Sequence, residues 1–411
     1  MSYPIDVSTE YIEKLGNIKT KVFYKNESVP YLILNYEEEM ICSDDTKRGK
    51  YRSIIATYPD KNILSVSIPK NVSLEYFKHH YSDLSDAIYV NELIEGTMIH
   101  LFYDPRISSW EIATKRSIGG EYYYQQQNKL EDNDVTFLNM VTDAFHEDRL
   151  NKINDIKFIS EFDKQYSYQF VLQHPKNHIV FPIKEPKMYL VGVYETQSNV
   201  VRFVPPTEYE SWSFLKNQYI HFPESYSVEK HILDGEIHYQ SLQDEYVSIQ
   251  TPVLTRMGIM ITNKNTGQHC LVMNPTYEEY ARVRGNHPDN QFLYLSLRKL
   301  GIVMEYLQFF PQYRKLFFRF RDEYETLVNN IHQSYLYFFI LKKEVEISKK
   351  YMSHIYALHH NVYIPSLATK KIIIKKQIVR EYVDSLEPGQ IMHIFNYDKR
   401  EVSETVQNTN L

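Results

Sequence analysis

The chain has 411 residues, 43% hydrophobic and 24% charged, a globular balance that excludes wholesale disorder and leaves room for two or three domains. Its net charge of −6 is unevenly spread: residues 281–411 carry +6 and residues 1–280 carry −12, an acidic front and a basic back of which the second is better suited to a polyanion. Twelve glycines leave little for Gly-rich phosphate loops, two distant cysteines exclude a disulfide framework and a structural zinc site, and no apolar run approaches the ~20 residues of a membrane span.

In chain order, alternating apolar residues predict strands at Ser53–Tyr58, Ile63–Ile68, Thr97–Tyr103 and Trp110–Thr114. Leu74, Phe77 and Tyr81 fall at helical spacing and predict a helix over 71–86; Phe137, Val141, Ala144 and Phe145 predict another over 134–150. A second strand group covers Tyr168–Leu172, Tyr189–Tyr194, Val200–Phe203, Gly258–Thr262 and Cys270–Met273. From residue 277 the period changes to 3.6. Helices are expected at Tyr277–Arg284, Gln291–Lys299, Val303–Phe309, Tyr313–Lys342, Glu346–His359 and Lys370–Leu386, the last burying Ile372, Ile373, Ile374 and Ile378. The fold class is therefore α+β: antiparallel sheets with helices, then an all-α C-terminal domain. The expected divisions are 1–44, an N-terminal extension packed on the core; 45–280, the mixed domain; 281–397, a basic helical domain; and 398–411, a flexible tail. Two thiols without a disulfide framework fit a reducing compartment, and Met1–Asp6 has no basic region followed by an apolar run, so a cytoplasmic protein without signal peptide is expected.

Several short stretches stand out in order: Glu92-Leu93-Ile94-Glu95-Gly96-Thr97, Trp110–Gly119, Tyr168-Gln169-Phe170-Val171, Asn177-His178-Ile179-Val180, Met188–Val193, Met257-Gly258-Ile259-Met260 and Leu271-Val272-Met273. This order resembles the ATP-dependent RNA ligases of the phage tRNA-repair type, in the covalent nucleotidyltransferase superfamily. The resemblance covers about residues 45–280 and implies a nucleotidyltransferase domain followed by a helical one. In that family a strand delivers a K-x-D-G-S box, whose lysine amine attacks the ATP α-phosphate to form a phosphoramidate. Acidic residues hold ribose and metal, and a late K-x-K pair neutralises the α-phosphate.

At the reacting positions this chain departs. Leu93 stands for the nucleophilic lysine, and no lysine lies between Lys78 and Lys115. Gln169 and Met257 stand for two glutamates, Leu271 and Met273 for the late lysines. Five charged positions that become Leu, Gln, Met, Leu and Met leave an apolar, nearly uncharged site. Glu95, Gly96 and Thr97 are kept, as are the basic return Lys115-Arg116 and the upstream Arg52. The resemblance thus implies a nucleotide site of Arg52, Leu93, Glu95, Gly96, Lys115, Gln169, Met257, Leu271 and Met273, with no catalytic residue. Charge adds an RNA-binding set of Arg116, Arg282, Arg284, Lys370, Lys371, Lys375 and Lys376. His79-His80 and His359-His360 each lack a third ligand, so no metal site is expected. Tyr122-Tyr123-Tyr124 reads as a strand whose rings pack on a core, base stacking being the alternative.

The expected activity is that of a catalytically degenerate RNA-ligase-like protein that binds a nucleotide, an RNA end (capped ends included) or a partner protein, with no resident cofactor and no membrane. The alternative is an active ATP-dependent RNA ligase, or related nucleotidyltransferase, using ATP and Mg²⁺ in RNA end joining or repair. A filled pocket that serves only as a protein scaffold is the third. Tyrosine, at 36 residues, accompanies frequent Asn, Ile and Lys, as an AT-rich genome would encode; with the degenerate ligase boxes, this suits a large DNA virus.

Overall fold

Strands form where β-branched and aromatic residues alternate with small or polar ones, and the chain packs them face to face. A computed structural model describes residues 2–25, 29–37, 40–81, 87–121, 136–145, 152–233, 236–247, 256–285, 289–368 and 371–398. The expected Tyr122–Tyr124 strand, Lys370 and all but the first residue of the 398–411 tail lie outside them. The chain divides into two compact units, Met1–Arg282 and Val283–Leu411.

The first unit is built on three sheets, antiparallel except for one short strand. The largest joins β1 (Ser2–Pro4), β7 (Thr97–Asp104), β8 (Ser109–Ala113), β9 (Tyr166–Gln173), β10 (Lys187–Gln197) and β11 (Val200–Val204) in the order β1-β11-β10-β9-β7-β8, with the short β12 (Ile220–His221) running parallel to β10. A second has the order β2 (Ile18–Tyr24), β3 (Pro30–Tyr36), β4 (Ile54–Thr57), β5 (Ile63–Val66). The third runs β13 (Ser225–Tyr226), β6 (Ile88–Glu92), β16 (Gly258–Asn263), β17 (His269–Met273), and β14 (Ile232–Leu233) and β15 (Glu236–Ile237) form a separate ribbon. The segment 1–44, expected as a packed extension, thus supplies three strands, one to the largest sheet and two to the second.

One face of the largest sheet buries Ile99, Leu101, Tyr168, Phe170 and Leu172 under α4 (Phe137–Ala144), which offers Leu138, Met140 and Val141. The third sheet buries Ile88, Val90, Ile259, Ile261, Cys270 and Val272 with Phe77 of α3 (Leu74–Tyr81) and Leu242 of α6 (Tyr239–Tyr246). Fully burying each such side chain contributes about 1.5–3 kcal/mol. Because strand residues alternate, the opposite face of the third sheet carries Asn91, Met260, Leu271 and Met273.

The second unit is helical. It comprises α8 (Asn290–Leu300), α9 (Val303–Phe309), α10 (Arg314–Tyr335), α11 (Lys349–Ala357), the single turn α12 (Ile364–Ser366), α13 (Lys376–Ser385) and α14 (Pro388–Phe395), and α7 (Pro275–Arg284) runs up to the boundary. Phe317, Phe320, Tyr324, Leu327, Val328, Ile331 and Tyr335 recur every three or four residues and form the buried stripe of α10.

Two helix expectations are corrected. The Tyr313–Lys342 helix ends its α-helical run at Tyr335 and widens into a π-helical turn over Leu336–Ile340, where Phe339 stacks on His359 at 3.8 Å. The Lys370–Leu386 helix starts only at Lys376. Residues 371–375 are outside any helix or strand, with Lys375 extended, Ile374 buried, and Ile372 and Ile373 exposed. Three consecutive β-branched side chains lose rotamer freedom in a helix, and that disfavours one here.

Candidate functional site

The box residues meet at one end of the third sheet. Register sets Leu271 opposite Met260, Met260 opposite Asn91, and Met273 opposite Gly258. Just past β6, the Leu93 N–H donates to the Gly258 carbonyl at 3.0 Å, and the Asn274 N–H donates to the Met257 carbonyl at 2.9 Å. Leu93, Met257, Leu271 and Met273 are therefore neighbours, and all four are half-buried. None of these side chains carries a charge or a lone pair basic enough to attack phosphorus.

The retained residues are held by the fold itself. Glu95 is 4% exposed. Its Oε1 accepts from the backbone N–H groups of Ile179 (2.7 Å) and Val180 (3.0 Å), and its Oε2 from Val180 (3.1 Å), Phe181 (3.4 Å) and the Tyr277 hydroxyl (2.8 Å). Burial, with Glu95 beside it, pushes the Tyr277 hydroxyl well above its usual range, so it remains a donor. The assignment of Glu95 to a nucleotide is corrected on this ground: its acceptor positions are already filled. Gly96, exposed on its outer side, has no room for a side chain on the other, since a Cβ would sit 2.4 Å from the Leu172 carbonyl oxygen. At Gly258 a Cβ would meet the Val272 carbonyl oxygen at 2.3 Å.

Gln169 is likewise corrected. It is fully buried between the largest sheet and β5, where its Nε2 donates to Ser65 Oγ at 3.2 Å. Ser65 Oγ in turn lies 2.9 Å from His100 Nδ1, and His100 is the cross-strand partner of Gln169. A side chain enclosed in this way presents nothing to a ligand at the surface. The sequence reading missed this polar layer, although the serines of Ser65-Val66-Ser67 and the Ser167/Gln169 alternation signalled a strand face that is neither apolar nor solvated.

Arg52 is half-buried and makes no hydrogen bond or ion pair with any described residue. Burial, with a contribution from the Arg52 charge, holds His100 down at about 3 and His269 at about 4. Both imidazoles are thus neutral in the folded chain and protonated in the unfolded one below about pH 6.5. The unfolded state then binds more protons, so stability is complete above that pH and is lost as pH falls toward 4, by up to about 1.4 kcal/mol per unit for each histidine. Urea midpoints measured from pH 7.5 to 5 should fall steeply, and His100→Gln with His269→Gln should flatten the fall. An equal slope in both proteins would exclude these two groups as its source.

Lys115 and Arg116 occupy a turn closed by the Thr114 N–H to the Ser117 carbonyl at 2.8 Å. Lys115 Nζ lies 4.9 Å from the centre of the Tyr36 ring, and Arg116 is exposed. Of the helical RNA set, Arg282, Lys371 and Lys375 are exposed, while Lys376 faces Glu325 of α10 at 3.6 Å. Arg284 is corrected: it is 6% exposed, with its guanidinium 5.8 Å from the Tyr313 ring, and is not a surface contact. Lys370 lies outside the described residues. Among the described residues no group of three His, Cys, Asp or Glu is placed to hold a metal ion, and no helix is long and apolar enough to cross a membrane.

The sequence matches no protein-family model and no curated protein. Similar solved structures include a Naegleria gruberi RNA ligase mutant with ATP and Mn, 11% identical over 53% of this chain and 57% of that chain, with a TM-score of 0.38. A second Naegleria gruberi RNA ligase mutant, with AMP and Mn, is 11% identical over 52% and 57%, with a TM-score of 0.36. A putative ATP-dependent DNA ligase from Aquifex aeolicus is 10% identical over 76% and 71%, with a TM-score of 0.37. The chain spans little more than half the length of either Naegleria chain.

Proposed function

We propose that this chain carries a nucleotidyltransferase-type domain that binds a nucleotide or an RNA end, capped ends included, without transferring a nucleotidyl group. One observation carries the reading. The box positions whose only task is chemistry hold Leu93, Met257, Leu271 and Met273, gathered at one sheet end, whereas three of the box residues that remain, Glu95, Gly96 and Gly258, are ones that the packing requires. A family in which the boxes served both ends would lose the first set and keep the second once catalysis was no longer selected.

The chemistry then left at the site is that of a binder. Leu93, Leu271 and Met273 offer apolar contact to a flat ring, and burying that surface contributes about 25 cal/mol per Å². Arg52, half-buried without a carboxylate partner among the described residues, and Lys115 supply positive charge for phosphates. Exposed Arg282 of the first unit, and Lys371 and Lys375 of the second, are further cations suited to phosphate.

Calorimetric titration of the full chain with ATP and with a cap-analogue dinucleotide tests this. Binding of at least one is expected, weakened about tenfold by Arg52→Ala, a loss of about 1.4 kcal/mol. Lys115→Ala should weaken it less. No heat with either ligand, or equal affinity for the Arg52→Ala chain, would overturn the reading.

A further inference from the structure

We propose that the outer edge of β2 is a second contact site, which grips the sugar–phosphate backbone of single-stranded RNA; the inference rests on the RNA-end reading above and extends it. Lys19, Thr20, Lys21, Ile33, Asn35 and Arg116 line a cavity of about 330 Å³, at the small end of the range for ligand sites. Three of the six are cations, and no carboxylate is among them.

The cations converge from two sheets. Lys19 and Lys21 lie on one face of β2, two residues and about 6.7 Å apart along the strand. That spacing is close to the repeat of successive phosphates in an extended single strand. Arg116 comes from the turn after β8, in the largest sheet. The carboxylate nearest in the chain to this face, Glu37, pairs with Lys19 at 2.9 Å, but both side chains are exposed. A pair in water contributes little, so a phosphate can replace it.

The floor of the cavity gives the sugar. Asn35, directly opposite Lys19 in the register, is 6% exposed, and its Oδ1 is buried without a hydrogen-bond partner. An unfilled buried acceptor costs about as much as a lost hydrogen bond unless a ligand supplies a donor. A phosphodiester has no donor to give; a ribose 2′-hydroxyl has one, and DNA lacks it. Phe23 continues the same face of β2, with Lys21 Nζ 5.4 Å from its ring centre, and offers an aromatic surface beside the backbone track. Lysines on an edge strand also discourage strand pairing. That role requires neither the convergence of Arg116 nor an unsatisfied amide beneath it.

The test is anisotropy of a fluorescein-labelled, uncapped 12-nucleotide RNA and of the DNA of the same sequence, with the full chain, from 50 to 200 mM NaCl. Each phosphate contact adds about 0.7 to the log–log salt slope. The triple variant Lys19→Ala, Lys21→Ala, Arg116→Ala should lower the slope by about 2. A control with Lys14→Ala, Lys157→Ala and Lys184→Ala should leave it unchanged. Asn35→Leu should erase the preference for RNA over DNA while it keeps the DNA slope. An unchanged slope in the first triple variant, or an equal drop in the control, would overturn the proposal; a wild-type chain that binds both polymers equally would overturn the 2′-hydroxyl assignment. Should Asn35→Leu not fold, the wild-type comparison of the two polymers decides that point. Binding of a fluorescent ATP analogue, read in parallel, separates the two sites: its survival in the triple variant with the slope unchanged refutes the edge site alone, and its absence in the wild type with the slope lowered refutes the Leu93 site alone.

Discussion

Incubated with α-labelled ATP and Mg²⁺, the chain is expected to remain unlabelled on a denaturing gel. On the proposed function, covalent nucleotidyl transfer would need a nitrogen lone pair just past β6, and the side chain there is that of Leu93, whose backbone is fixed by its bond to Gly258. Leu93→Lys alone should also stay unlabelled. A lysine at that point would have no cation at 271 or 273 to neutralise the α-phosphate, and no carboxylate at 169 or 257 to hold a metal. The active-ligase alternative requires the opposite: a heat-stable, acid-labile band from the wild-type chain. Such a band would show that a lysine outside the recognised box carries the nucleotide, and it would overturn the binding-only reading outright.

Glu95→Ala is expected to cost about 3–5 kcal/mol of stability, because it strands three backbone N–H groups and the Tyr277 hydroxyl in a buried site. In a domain of this size the melting temperature should fall on the order of 10 °C. Glu95→Gln keeps one acceptor oxygen and should lose roughly half as much. At a temperature where the variants are folded, nucleotide affinity should match the wild type, because the carboxylate faces the protein. A Glu95→Ala chain that melts with the wild type but loses ligand would restore Glu95 as a direct contact.

Glu95 also shows where reading the sequence stops. The acidic residue and its glycine were visible as a box, and a box residue reads as a ligand contact. Its true partners, the backbone amides of residues 179–181, are more than eighty positions away, and backbone groups leave no mark in an amino-acid alphabet. Tyr277 is equally silent, one tyrosine among 36. The strands β4, β5, β7 and β8 and the change of period near 277 were legible because their buried faces are apolar and regular. β2 was not. Its Lys19-Thr20-Lys21 stretch is exposed on both faces, so alternation, the signal of a half-buried strand, is missing. Ile372-Ile373-Ile374 misled in the other direction, since apolarity was taken for burial while only Ile374 is enclosed. Arg284 failed for a similar reason, as charge was taken for exposure.

The Ser65–His100–Gln169 layer bears on which side chains the fold can accept at position 169. A glutamate at 169 would place a carboxylate in a closed space, beside a neutral imidazole and a serine, at a cost of several kcal/mol before any ligand could offset it. On the proposed function, substitutions toward the family's boxes made one at a time would meet a loss of stability at this position and no gain at the others until all were present. The packing behind the site would then work as a ratchet: with the layer closed around glutamine, changes at the domain surface cost little stability, whereas a carboxylate at 169 would pass through chains that fold poorly.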